Sequence, residues 1–132
     1  MGVKITTASF LENQLSRNDL EELVEAFRKF KADGDCTDFF GRDYPYMGPQ
    51  KVKDEDLWHA HIPDPGSPRF KLRVTQFRRS SDTALVYCRA YFDDDHYLLI
   101  GILYTAHTAY QQTPRTWYLP FLEIAKEFRE SH

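Results

Sequence analysis

A handful of side chains in this chain have the right types to move protons and hold negative charge. His59 and His61 stand two apart in Leu57–Ile62, Arg78 and Arg79 stand together just before Asp82, and His107 lies alone in a polar segment. Asp38, Arg42 and Asp43 close a charged stretch that starts at Lys31, with Gly34 and Gly41 inside it. Imidazole and carboxylate groups transfer protons, and an unperturbed histidine titrates near ~6.5, where it can serve as acid or base. Arginine stays ionised, and its planar fork matches the paired oxygens of a phosphate. Together these types suit acid–base chemistry at a phosphate.

Each candidate has a plainer reading. His61 and His107 could anchor loops through hydrogen bonds. Arg78 and Arg79 could be a solvated pair with Asp82 as neighbour. Asp38, Arg42 and Asp43 could be an ion-pair network that orders a long loop, with Gly41 allowing the bend. Spacing alone leaves both readings open.

The elements that must position these groups are legible in part. Ser16 or Asn18 caps a helix whose first turn holds Asp19, Glu21 and Glu22. Leu20, Leu23, Val24, Phe27 and Phe30 form its apolar stripe, and Gly34 ends it. Residues 33–57 read as irregular, because Tyr44-Pro45-Tyr46-Met47-Gly48-Pro49 suits neither a regular strand nor a helix interior. Residues 1–10 and 57–62 read as strands. In 69–77 the apolar Phe70, Leu72 and Val74 alternate with Arg69, Lys71, Arg73 and Thr75, which predicts a strand with one basic face. Residues 83–91 and 96–104 read as buried strands, and Phe121, Ile124, Ala125 and Phe128 mark a last helix. The expected class is α+β: one small twisted antiparallel sheet, with an N-terminal and a C-terminal helix packed against one face.

Composition narrows the function. At 132 residues, 42% of them hydrophobic, the chain can bury one core, so residues 1–132 are expected to be a single domain. No apolar run approaches the ~20 residues that cross a bilayer, and no secretory leader pattern opens the chain, so a cytoplasmic protein with no membrane role is expected. The two cysteines form no CxxC pair and the five histidines are scattered. No disulfide, metal or other cofactor is therefore expected. A net charge of −3 argues against a free-standing nucleic-acid binder held by long-range attraction.

Several short words in the chain carry a family resemblance. They are F-x-x-x-K-x-D-G at Phe27–Gly34, D-x-F-G-R-D at Asp38–Asp43, A-H-I at Ala60–Ile62, Q-F-x-R-x-x-D at Gln76–Asp82 and L-V-Y-C at Leu85–Cys88. L-L-I-x-I-L at Leu98–Leu103, His107 and A-x-x-F-R at Ala125–Arg129 complete the set. In this order they resemble the YafO family of bacterial toxins, ribosome-dependent mRNA interferases of type II toxin–antitoxin systems.

The resemblance implies an endoribonuclease that cuts translated mRNA on the ribosome, a cognate antitoxin partner, and a RelE-like fold. Metal-free RNA cleavage by the 2′-hydroxyl needs one proton taken, one given, and charge on the phosphorane stabilised. The expected catalytic set is then His61, Arg79, His107, Arg42 and Asp43. The expected RNA-binding set is Arg69, Lys71, Arg73 and Arg78, with Tyr110 stacking on a base. The alternative is a non-catalytic binding module that blocks the ribosome or another partner.

Overall fold

The computed structural model describes residues 2–106 and 117–132. Within them the chain runs β1 (Lys4–Thr7), α1 (Ser9–Glu12), α2 (Arg17–Asp33), β2 (Asp43–Pro45), α3 (Gln50–Asp54), β3 (Leu57–Ile62), β4 (Thr83–Arg89), β5 (His96–Leu103) and α4 (Leu119–Ser131). A 3-10 turn at Gln76–Arg78 lies between β3 and β4. The class is α+β, as the sequence predicts.

The sheet order is β1-β5-β4-β3-β2. β2, β3, β4 and β5 pair antiparallel in succession, while β1 joins β5 parallel. β1 and β2 therefore sit on opposite edges, and α2 carries the chain across one face between them. Ser16 caps α2 by accepting from the Asp19 N–H at 3.2 Å. Gly34 ends it at φ 74°, with its own N–H bonded to Phe30 O at 2.9 Å.

Strand alternation sends neighbouring residues to opposite faces, and a helix covers each face. Leu85, Tyr87 and Leu99 pack with Leu23, Phe27 and Phe30 of α2. Val86, Cys88, Leu98 and Ile100 pack with Phe121, Leu122, Ala125 and Phe128 of α4. The sequence expectation of helices on one face is thus corrected. The near-continuous apolar runs of β4 and β5 are the reason: both of their faces need cover.

Two further expectations change. Residues 69–77 form no strand. Phe70 N–H bonds Asp38 O, Val74 N–H bonds Lys71 O, and the 3-10 turn follows. Both edges of β3, the strand before it in the chain, are already taken by β2 and β4, and Leu72 is 74% exposed, so the alternating pattern neither pairs with β3 nor buries its apolar side chains. Conversely, Asp43–Pro45 is a short strand. It lies on the sheet's rim, where a proline's missing N–H leaves no ladder bond unmade.

Candidate active site

The charged loop after α2 is built tightly. Asp35 accepts from Thr37 N–H at 2.9 Å, Phe40 N–H reaches Cys36 O at 3.1 Å, and the Phe40 ring stacks on Phe30 with centroids 5.1 Å apart. Arg79 fastens this loop from below. Its guanidinium donates to Val74 O at 2.9 Å, Phe40 O at 3.1 Å, Thr37 O at 2.5 Å and Cys36 Sγ at 3.3 Å. Only 5% of Arg79 is exposed. A cation so placed satisfies carbonyls that would otherwise be buried without partners.

Gly41 and Arg42 are pinned between two segments. Gly41 N–H bonds His61 O and His61 N–H bonds Arg42 O, both at 2.8 Å, which carries the β2–β3 pairing past its end. On the other side Arg42 N–H bonds Arg79 O at 3.0 Å, and the Gln76 amide donates to Gly41 O at 3.0 Å. A Cβ on Gly41 would lie 2.5 Å from Arg79 O, so no other residue fits this close approach. The loop therefore delivers the Arg42 side chain in one place.

That place is the rim of a cleft of about 410 Å³ lined by Phe30, Lys31, Arg42, Asp43, Tyr44, Gln76 and Phe77. Arg42 donates through Nε to Phe77 O at 3.0 Å, with its guanidinium carbon 5.1 Å from the Phe77 ring centre. Among the described residues it forms no ion pair. The remaining donors of its fork are available to a ligand.

Deeper in the cleft, Lys31 Nζ lies 2.9 Å from Asp43 Oδ2. The Tyr87 hydroxyl donates to the other carboxylate oxygen at 2.7 Å. Rings of Phe27, Phe30, Trp58, Tyr87 and Tyr97 surround the ammonium, with centres 4.5 to 5.8 Å away. Aromatic faces favour a cation in such a site. Burial, and then the nearby Asp43 charge, hold the Tyr87 hydroxyl well above its ordinary range, so it remains a donor. The result is a Lys–Asp–Tyr chain with Lys31 and Asp43 opening onto the cleft.

The other sequence candidates fall elsewhere. His61 is 4% exposed, with Nδ1 2.9 Å from Ser81 O, and lies behind the loop beside Arg79. Arg69 bridges Glu22 of α2 and Asp38 of the loop, with its guanidinium over the Phe39 ring. Lys71, Arg73 and Arg78 are exposed. Because 69–77 is not a strand, Arg69, Lys71 and Arg73 share no strand face, and the basic patch as drawn from the sequence is corrected. His107 and Tyr110 lie outside the described residues.

Sequence reasoning gives no site role to Lys31, Tyr44 or Phe77, and for Tyr87 it weighs base stacking against a place in the core. Lys31 was visible as the lysine of the first family word, whereas its partner Asp43 ends the second. Phe77 falls at the end of the expected 69–77 strand, in step with its basic face, and carries no role in that reading. A larger cleft of about 680 Å³ shares Tyr44 but is lined by Pro45, Tyr46, Met47, Gly48, Pro49, His59, Trp117 and Tyr118, none of them a carboxylate, lysine or arginine. Among the described residues no helix is long and apolar enough to cross a membrane.

Comparison with known proteins bears on this arrangement. A family model described as toxin YafO of type II toxin–antitoxin systems matches residues 28–130. The mRNA interferase toxin YafO of Escherichia coli strain K12 is 34% identical over 105 residues, covering 76% of this chain and 79% of that protein. No solved structure matches. Every residue that lines the smaller cleft falls inside the matched span, and the chain belongs to the YafO family of toxins from type II toxin–antitoxin systems.

Proposed function

We propose that this chain cuts translated mRNA at the cleft between Arg42 and the Lys31–Asp43 pair, by attack of the RNA's own 2′-hydroxyl. The chain is an mRNA interferase, an endoribonuclease toxin, and its protein partner is a cognate antitoxin. The observation that carries the choice of cleft is an arginine that forms no ion pair among the described residues, in the same cleft as a paired proton donor and acceptor.

The proton accounting is simple. The 2′-oxygen forms a bond to phosphorus as the P–O5′ bond breaks. Asp43 takes the 2′-hydroxyl proton and Lys31 gives one to the departing 5′-oxygen. Both partners end neutral, and one proton passing back across their 2.9 Å contact restores them. Arg42 lies on the phosphoryl oxygens, where negative charge grows. Arg79 and His61 act as positioning residues: they hold the loop and the strand end that present Arg42.

Ribosome dependence follows from charge. With a net charge of −3, and with Arg69 already held by two carboxylates, the chain has weak long-range attraction for free RNA. The ribosome supplies the message at high local concentration, and a cytoplasmic location goes with this reading.

In a reconstituted translation system the protein should cut a message only when ribosomes carry it, leaving 2′,3′-cyclic phosphate and 5′-hydroxyl ends. Ends carrying 5′-phosphate would contradict 2′-hydroxyl attack. Arrest of translation with no new ends would favour the non-catalytic blocker.

A further inference from the structure

Phe77 is a large apolar side chain left 63% exposed, at the mouth of the very cleft that holds the charged groups. Its position is fixed by backbone that has little freedom. Phe77 O accepts from Arg42 Nε at 3.0 Å, and the turn around it is closed by Arg78 N–H to Thr75 O and Arg79 N–H to Gln76 O. The Gln76 side chain ties the same turn to Gly41 O. Tyr44, 38% exposed on β2, meets the Phe77 ring edge-on with centroids 6.0 Å apart.

From this we infer that Phe77, buttressed by Tyr44, is a stacking shelf for one unpaired nucleobase of the message, next to the phosphate held by Arg42. The inference rests on the ribonuclease reading above and adds to it a base-binding subsite. Single-stranded RNA is gripped by aromatic faces for its bases and by cations for its phosphates, and an aromatic face accepts any base. Here the two kinds of group touch: the Arg42 guanidinium lies over the Phe77 ring. A nucleotide whose phosphate takes the free donors of Arg42 has its base within a sugar's reach of Phe77. Rigid presentation of both groups fixes which phosphodiester enters the cleft, so the shelf sets the register of the cut.

The test uses the full chain and ribosomes programmed with a defined message. Phe77→Leu keeps the backbone bond to Arg42 and removes the ring. It should raise KM for the programmed ribosome about tenfold, the scale of one lost base–aromatic stack, with kcat within about twofold. Phe77→Trp should restore KM. In messages carrying one abasic nucleotide at a time, the wild type should lose about tenfold at a single position near the cut. Phe77→Leu should lose nothing more at that position, because the stack is already gone. An unchanged KM for Phe77→Leu, or abasic losses that add to it, overturns the shelf while leaving the ribonuclease reading intact. A wild type that makes no cuts overturns both. Should Phe77→Leu cut normally but escape neutralisation by the antitoxin, the ring serves that protein and the inference fails.

Discussion

Lys31 and Asp43, twelve positions apart, meet at 2.9 Å inside a ring of five aromatic side chains. One comes from the last turn of α2 and the other from the first residue of β2. Their side chains are 16% and 11% exposed, so each depends on the other for its charge to be tolerated. The same contact closes the loop between them and forms the floor of the cleft.

Removing one partner should therefore be costly. Lys31→Met leaves the Asp43 carboxylate buried with only the Tyr87 hydroxyl, and should lower stability by about 3 kcal/mol. Urea unfolding measures it. A midpoint unchanged from the wild type would mean that the pair is open to water and that the cleft floor is misplaced.

Alkali should unfold the protein earlier than its composition suggests. Burial pushes the Cys88 thiol up to about 12 and also raises Tyr87 and Tyr97 above their ordinary values. Each raised group keeps its proton in the folded state after the unfolded chain has lost it. Their contribution is complete below the unfolded pKa values, about 9 for the thiol and 10 for the phenols, and is lost as pH rises through the folded ones. Stability measured by urea unfolding should fall from about pH 9 and more steeply past 10. Tyr87→Phe should flatten part of the slope above pH 10, and an unaltered slope would contradict the burial assigned to that hydroxyl.

Arg79 and Arg42 should separate structure from chemistry. Arg79→Ala strips three backbone carbonyls of their donor and should cost about 3 kcal/mol, with the 36–40 loop opened to protease. Arg42→Ala removes no buried partner and should leave the unfolding midpoint within about 0.5 kcal/mol of the wild type. A large stability loss in Arg42→Ala would make it a loop anchor instead of an RNA contact.

Much of the frame was legible because local chemistry and tertiary need agree there. Ser16 and Gly34 mark α2, and the apolar runs at 83–91 and 96–104 become β4 and β5. The stretch 69–77 was misread because alternation records side-chain order and says nothing of a free sheet edge. A strand gives Phe77 no place at a site, whereas the 3-10 turn holds it at the mouth of the cleft. His61 and Arg79 stand out in the sequence by type, and a loop-anchoring histidine is one of its readings of His61, but the burial of Arg79 comes only from the fold closing around it. The Lys31–Asp43 contact depends on a loop path that spacing does not encode.

The most direct measurement maps RNA 5′ ends in cells that express the toxin without its antitoxin. The wild type should arrest growth and leave new 5′-hydroxyl ends within translated messages. Arg42→Ala, folded and present at equal level, should lose those ends by about a hundredfold or more, the scale of one lost transition-state charge contact. Undiminished cutting by that variant would place the chemistry elsewhere on the molecule.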